Sequence, residues 1–170
     1  MNFLEKYNLP EFSKLSFDEY VINQLKSIVD KYENKTEYSN GLCGCFALAT
    51  HIYFEYNGEY TALNVASESS KYWGPVHAFV TILGYNLDHM TLRSSFEKFS
   101  FCDDGEGIET DLTYLEFSHD VKEFKMDYNK VVKLVGELHE LLQLNKVDES
   151  DVLNAYEHIM NGEEFDIEEM

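Results

Sequence analysis

Apolar positions along the chain alternate between a helical and an extended period. After an N-terminal stretch carrying Phe3, Leu4, Tyr7, Leu9, Phe12 and Leu15 around Pro10, the run Ser16-Phe17-Asp18-Glu19 forms a capping box, with Ser as N-cap and Glu three residues on. A helix is expected to follow to about Glu33, because Val21, Ile22, Leu25, Ile28, Val29 and Tyr32 recur at helical spacing on one face. Residues 34–40 are polar and aperiodic and read as a loop. A second helix is predicted from about Cys43 to Tyr56, stopped by Asn57-Gly58. Its apolar residues Phe46, Ala47, Ala49, Tyr53 and Phe54 cover much of the circumference, so it should be the central, most buried helix.

The period then turns extended. Strands are expected over Tyr60–Val65, Val76–Leu83 and Tyr85–Leu92, with a Ser-rich loop over Ala66–Gly74 and a turn at Gly84. Further short strands are expected at Phe96–Phe101 and Leu112–Phe117, flanking an acidic turn at residues 103–107 whose spacing does not match a calcium-binding EF-hand loop. Residues 121–126 are of mixed character. Two helices close the chain, Asp127–Leu144 and one starting at Ser150 and stopped by Asn161-Gly162. The pattern predicts an α+β fold in one domain, residues 1–162. It has a core over 40–93, a C-terminal helical hairpin over 127–161 and an acidic tail over 163–170.

The length of 170 residues allows a real hydrophobic core, and 44% hydrophobic with 15% aromatic residues is a globular composition. No apolar run is long enough for a bilayer, and the start of the chain lacks the basic and apolar regions of a signal peptide, so a cytoplasmic location is expected. The three cysteines, Cys43, Cys45 and Cys102, do not form a disulfide framework, and Cys-x-Cys is a poor zinc signal, so no metal and no cofactor is expected. The formal net charge of −19 argues against nucleic acid and anionic membranes as ligands, since both reward Lys and Arg. It favours a basic protein or peptide as substrate or partner, and it permits mimicry of nucleic-acid charge.

The candidate chemistry lies at the start of the second helix. The first N–H groups of a helix lack intrahelical partners, and together with the helix dipole they stabilise an anion. A cysteine placed there loses its proton more easily than a free one. Cys43 and Cys45 both sit at this junction. His77 begins the strongest predicted strand and Asp88 lies in the next. A four-residue loop, Thr81 to Gly84, would put His77 directly opposite Asp88, with Cβ atoms roughly 5 Å apart. On that reading a tighter loop puts His77 opposite Leu92 and breaks the dyad. An Asp carboxylate in this place would orient the imidazole and stabilise its charged form.

Gly41-Leu42-Cys43-x-x-Phe46-Ala47, then His77-Ala78-Phe79-Val80, then Leu87-Asp88, resembles the core of papain-like and transglutaminase-like thiol enzymes. It is also similar to small uncharacterised bacterial and phage proteins that combine such a helix with a His strand and a Leu-Asp strand. The resemblance covers roughly residues 40–93. It implies a central Cys-bearing helix packed on an antiparallel sheet, with the N- and C-terminal helices added. It also implies that Cys43 is the nucleophile, because it stands three residues before Phe46, with Cys45 as the alternative. No papain-type Gln precedes the cysteine; Asn40, or backbone N–H groups near Cys43, would have to supply an oxyanion hole. Tyr72 and Trp73 are candidates for lining a substrate cleft. The implied activity is thiol-dependent acyl transfer or amide hydrolysis by Cys43, His77 and Asp88, of protease, amidase, deamidase or transglutaminase type. The alternative is a non-catalytic acidic inhibitor or adaptor, of the phage-encoded kind, that binds a basic protein surface. Of the other histidines, His51 reads as a surface or packing residue, and His89 as pointing to the opposite face from Asp88. His119, His139 and His158 read as surface.

Overall fold

The structure, a computed structural model, describes residues 17–38, 41–68, 75–90, 92–94, 107–112, 114–120 and 124–163. Among the described residues there are five α-helices and one antiparallel sheet of five strands. In chain order the elements are α1 (Phe17–Tyr32), a short 3-10 turn (Thr36–Tyr38), α2 (Cys43–Tyr56), β1 (Thr61–Glu68), β2 (Pro75–Ile82), β3 (Tyr85–Leu87), β4 (Leu92–Ser94), β5 (Gly107–Leu112), α3 (Tyr114–Asp120), α4 (Tyr128–Leu142) and α5 (Glu149–Met160). The strands are ordered β4-β3-β2-β1-β5. No helix among them is long and apolar enough to cross a membrane.

The α+β class and the central cysteine-bearing helix stand as expected. Every residue of α2 from Cys43 to Phe54 is buried. One side of it meets the sheet through Leu63 and Val65 of β1, Ala78, Val80 and Ile82 of β2, and Leu87 of β3. Val131, Leu134, Val135 and Leu138 of α4 join the same core, with Val152, Ala155 and Ile159 of α5. A helix buried all round must be apolar all round, which explains why α2 shows no polar stripe. Small side chains at Ala47 and Ala49, both fully buried, let neighbouring elements approach its backbone.

Several boundaries differ from expectation. β1 extends to Glu68, into the stretch read as loop, because its outer half pairs with both β2 and β5. β5 lies at the sheet edge, in and just after the expected acidic turn, and was not foreseen. Its Glu109 and Asp111 weaken the strand signal, and pairing with β1 decides the matter. The segment expected to be a strand at Leu112–Phe117 is mostly the helix α3, which buries Phe117. The expected strand Tyr85–Leu92 is two short strands, Tyr85–Leu87 and Leu92–Ser94, that pair with each other.

The β2–β3 connection also differs. It is not the four-residue loop Thr81–Gly84 but a two-residue turn, because Ile82 pairs with Tyr85. Both turn residues, Leu83 (φ 52°) and Gly84 (φ 85°), are left-handed, the conformation that matches the twist of a tight hairpin. Leucine rarely accepts it, so Leu83-Gly84 carries little hairpin signal in sequence. The expected N-terminal arm and the Ser16 cap, the strand at Phe96–Phe101, Cys102, and residues 164–170 of the tail lie outside the described residues.

Candidate functional site

The site forms where the N-terminus of α2 meets the ends of β2 and β3. His77 is buried on β2, next to a register shift. Ala66 pairs with His77 but Ser67 pairs with Pro75, leaving one extra residue on β2. Such a bulge bends its strand and re-aims the neighbouring side chain. Asp88 is buried just past the end of β3. Extending the β2–β3 ladder by one step from Val80↔Leu87 puts Asp88 across from Phe79, two residues along from His77. Diagonal partners of this kind lie within reach of a long or ring side chain. The Asp88 Oδ2 is 2.9 Å from His77 Nε2, and its Oδ1 accepts the Met90 N–H at 2.8 Å. The tighter turn therefore does not break the dyad. Leu92, the residue expected to displace Asp88, pairs with Leu87 instead.

Cys43 lies near enough to the same imidazole to favour its charged form. Burial alone would push the His77 pKa down. The Asp88 hydrogen bond, the nearby Cys43 thiol and the charges of both partners outweigh it and raise the pKa to about 9. Asp88 and Cys43 thus both favour the protonated form of His77. The structure brings Cys43, His77 and Asp88 together, in that order through space.

The two cysteines of the helix are distinct. Both are buried, Cys43 with 4% exposure and Cys45 with none. The Cys45 thiol donates to the Lys125 carbonyl at 3.3 Å and accepts the Asp127 N–H at 3.3 Å. Burial, the largest influence, pushes its pKa up, with the Asp127 N–H acting the other way. Residues two apart on a helix face different directions, and here one thiol faces the histidine while the other fastens the segment leading into α4.

That segment had been read only as mixed in character. Lys125 donates its N–H to the Gly41 carbonyl at 2.9 Å, and its aliphatic stem packs on Gly41. Gly41 has φ +108°, a conformation that side chains rarely adopt. A Cβ at Gly44 would lie 3.0 Å from Met126 Sδ and 3.5 Å from the Phe124 ring. The N-cap of α2, Leu42, makes no side-chain hydrogen bond to the helix entrance. Asn40, Tyr72 and Trp73 lie outside the described residues.

His89 corrects the expectation that it points away. Its ring is buried against Tyr38 (5.6 Å between centroids), Phe46 (6.2 Å) and His77 (6.4 Å). The strand ends at Leu87, so two-residue alternation does not extend to position 89. Burial lowers its pKa, with His77 acting in the same direction and Asp88 against. Phe46 in turn packs edge-on against Tyr32 at 5.3 Å, so an aromatic chain backs the His77 ring.

His51 is a packing residue, not a surface one. Its Nδ1 meets Thr61 Oγ1 at 2.5 Å and its Nε2 meets the Tyr114 hydroxyl at 2.8 Å. These bonds tie α2 to β1 and α3, away from Cys43. His119 is exposed, whereas His139 and His158 are half-buried and bonded to the Tyr53 hydroxyl and the Asn154 carbonyl. Among the described residues no group of three or more His, Cys, Asp or Glu is placed to hold a metal ion.

Comparison with protein-family models, with curated proteins and with solved structures finds no match for this chain.

Proposed function

We propose that the protein is a thiol-dependent acyl-transfer or amide-hydrolysing enzyme that uses Cys43 as nucleophile, His77 as proton carrier and Asp88 as the group that orients His77. The observation that carries this reading is the shared imidazole: Asp88 holds Nε2 at 2.9 Å, and Cys43 is near enough to favour the charged ring. Each role follows from residue chemistry. His77 holds the thiol proton, so that Cys43 Sγ attacks a carbonyl carbon as thiolate. The carbonyl π-electrons move to oxygen, where the N–H groups of the first turn of α2 are the available donors. When the tetrahedral species collapses, the leaving amine takes the proton from His77 and a thioester remains on Cys43. Water, or an acceptor amine, then gives a proton to His77 and attacks the thioester, releasing the thiol. Asp88 orients the ring throughout and balances the imidazolium whenever His77 carries the proton.

The order of the residues, the buried central helix and the neighbouring antiparallel strands support a papain-like or transglutaminase-like assignment of the core. The acidic composition supports a basic protein or peptide as the macromolecular substrate, by long-range attraction.

The test is acyl-enzyme trapping. Mixed with p-nitrophenyl acetate, the wild type should release a burst of nitrophenolate and carry an acetyl group on Cys43, located by mass spectrometry. Cys43→Ser should abolish the burst, and His77→Ala should slow it by about a hundredfold or more. Absence of a Cys43 adduct contradicts the reading. The net charge of −19 favours a second reading, a non-catalytic acidic adaptor for a basic protein. That reading requires steeply salt-sensitive capture of a basic partner, unaffected by Cys43→Ser.

A further inference from the structure

We infer that Lys125 makes the mouth of the site selective for acyl groups that carry a carboxylate beside the reacting carbonyl. This inference rests on the thiol reading above and names the substrate class of the same site. The argument begins with position. Gly41 precedes the proposed nucleophile by two residues, and the Lys125 side chain lies along it. Its Cγ and Cδ are 3.3 Å, and its Cε 3.6 Å, from the point where a Gly41 Cβ would stand. The absence of a side chain at Gly41 is what admits the lysine stem.

The lysine is also fixed from behind. Its N–H bonds the Gly41 carbonyl at 2.9 Å and its carbonyl accepts the Cys45 thiol at 3.3 Å. Phe124 and Met126, on either side of it, pack against Gly44. Three residues in a row are thus docked on the entrance of α2, and the buried Cys45 thiol anchors them.

The charge environment gives the lysine its role. Nearby Lys130 is engaged by Glu37 at 3.2 Å and lies over the Tyr38 ring. The Asp127 carboxylate is turned to the N–H groups of Asn129 and Lys130 as the cap of α4. Among the described residues no carboxylate forms an ion pair with Lys125, and its side chain is exposed. An acidic protein therefore holds an exposed cation whose stem lies on the residue two before the proposed nucleophile. At long range the molecule repels anions; beside Gly41, two residues before Cys43, it presents a cation. A carboxylate one residue from the scissile bond would meet the ammonium there.

Two alkylating reagents of the same shape test this, one neutral and one anionic. Rates of Cys43 modification by iodoacetamide and iodoacetate are measured by mass spectrometry in wild type, Lys125→Arg, Lys125→Gln and Lys125→Glu. The iodoacetate-to-iodoacetamide ratio should fall about threefold to tenfold in Lys125→Gln and further in Lys125→Glu, the size expected for one solvated charge at close range. It should be kept in Lys125→Arg. Any change in the thiolate fraction of Cys43 affects both reagents alike and divides out of the ratio. The surface repulsion is common to all four proteins and cancels in the comparison. Normal iodoacetamide labelling with a ratio indifferent to residue 125 overturns the anion preference alone. Failure of iodoacetamide to modify Cys43 in the wild type overturns the thiol reading and this inference with it.

Discussion

Asp88 holds His77 on the diagonal, from beyond the end of β3, with Oδ2 2.9 Å from Nε2. The contact does not depend on the two residues facing each other across the ladder. It depends on the two-residue turn at Leu83-Gly84, on the bulge beside His77, and on the Met90 N–H that fixes the second carboxylate oxygen. Asp88→Asn should leave the ring in place but remove the charge that holds it protonated. The pH at which His77 titrates, followed by NMR of its ring protons, should fall by at least a full unit.

The same pair makes stability depend on pH. The folded pKa of His77, about 9, is above the value near 6.5 of a free histidine. A raised histidine binds its proton more tightly in the folded chain. Its contribution is complete below about pH 6.5 and is lost as pH rises through about 9. Denaturant midpoints should therefore drop between pH 7 and 9 in the wild type. In His77→Gln that part of the slope should vanish.

His51 works with the opposite sign. Burial depresses its pKa to about 3, so the folded chain excludes a proton that the unfolded chain binds below about pH 6.5. Stability should fall as the solution is acidified from 6.5 toward 5, before most carboxylates titrate. His51→Gln should flatten that limb by up to about 1.4 kcal/mol per pH unit, one proton's worth. The check is a series of urea titrations at half-unit pH steps.

The two helix cysteines should separate cleanly in a stability assay. Cys45→Ala removes a fully buried thiol that donates to Lys125 and accepts from Asp127, and should cost about 1–3 kcal/mol. Cys43→Ser, at a residue with 4% exposure and a polar histidine beside it, should cost less than about 1 kcal/mol and abolish alkylation at that position. Equal destabilisation by the two substitutions would argue that both thiols serve packing.

Gly41→Ala should cost about 1–2 kcal/mol, since φ +108° strains any side chain and the Lys125 stem already occupies the space. The loss should appear in the thermal midpoint. It should also loosen Lys125 and lower the iodoacetate preference.

Much of this arrangement is legible in the chain itself. The helical period and the Asn57-Gly58 stop locate α2, and the switch to an extended period locates β1 and β2. Cys43, His77 and Asp88 stand out because their residue types and order suit one chemistry. What escapes the sequence is tertiary in origin. Nothing in Glu109 or Asp111 announces an edge strand; β1 supplies the pairing. Leu83 in a left-handed turn contradicts local preference, so the hairpin register could not be read from it. His89 was assigned by strand alternation, but the strand stops two residues earlier. Lys125 has no local signature at all. Its place follows from a thiol eighty residues away in the chain.

The most direct test of the central claim is the pH profile of Cys43 alkylation by iodoacetamide, in wild type and His77→Ala, with the modified residue located by mass spectrometry. The account predicts rapid modification at neutral and mildly acidic pH in the wild type, about tenfold to a hundredfold slower in the variant at pH 6 and shifted to the alkaline range of an ordinary thiol. A wild-type profile that rises only above pH 8, or one unchanged by loss of His77, would contradict a coupled thiol–imidazole pair and leave Cys43 as a core residue.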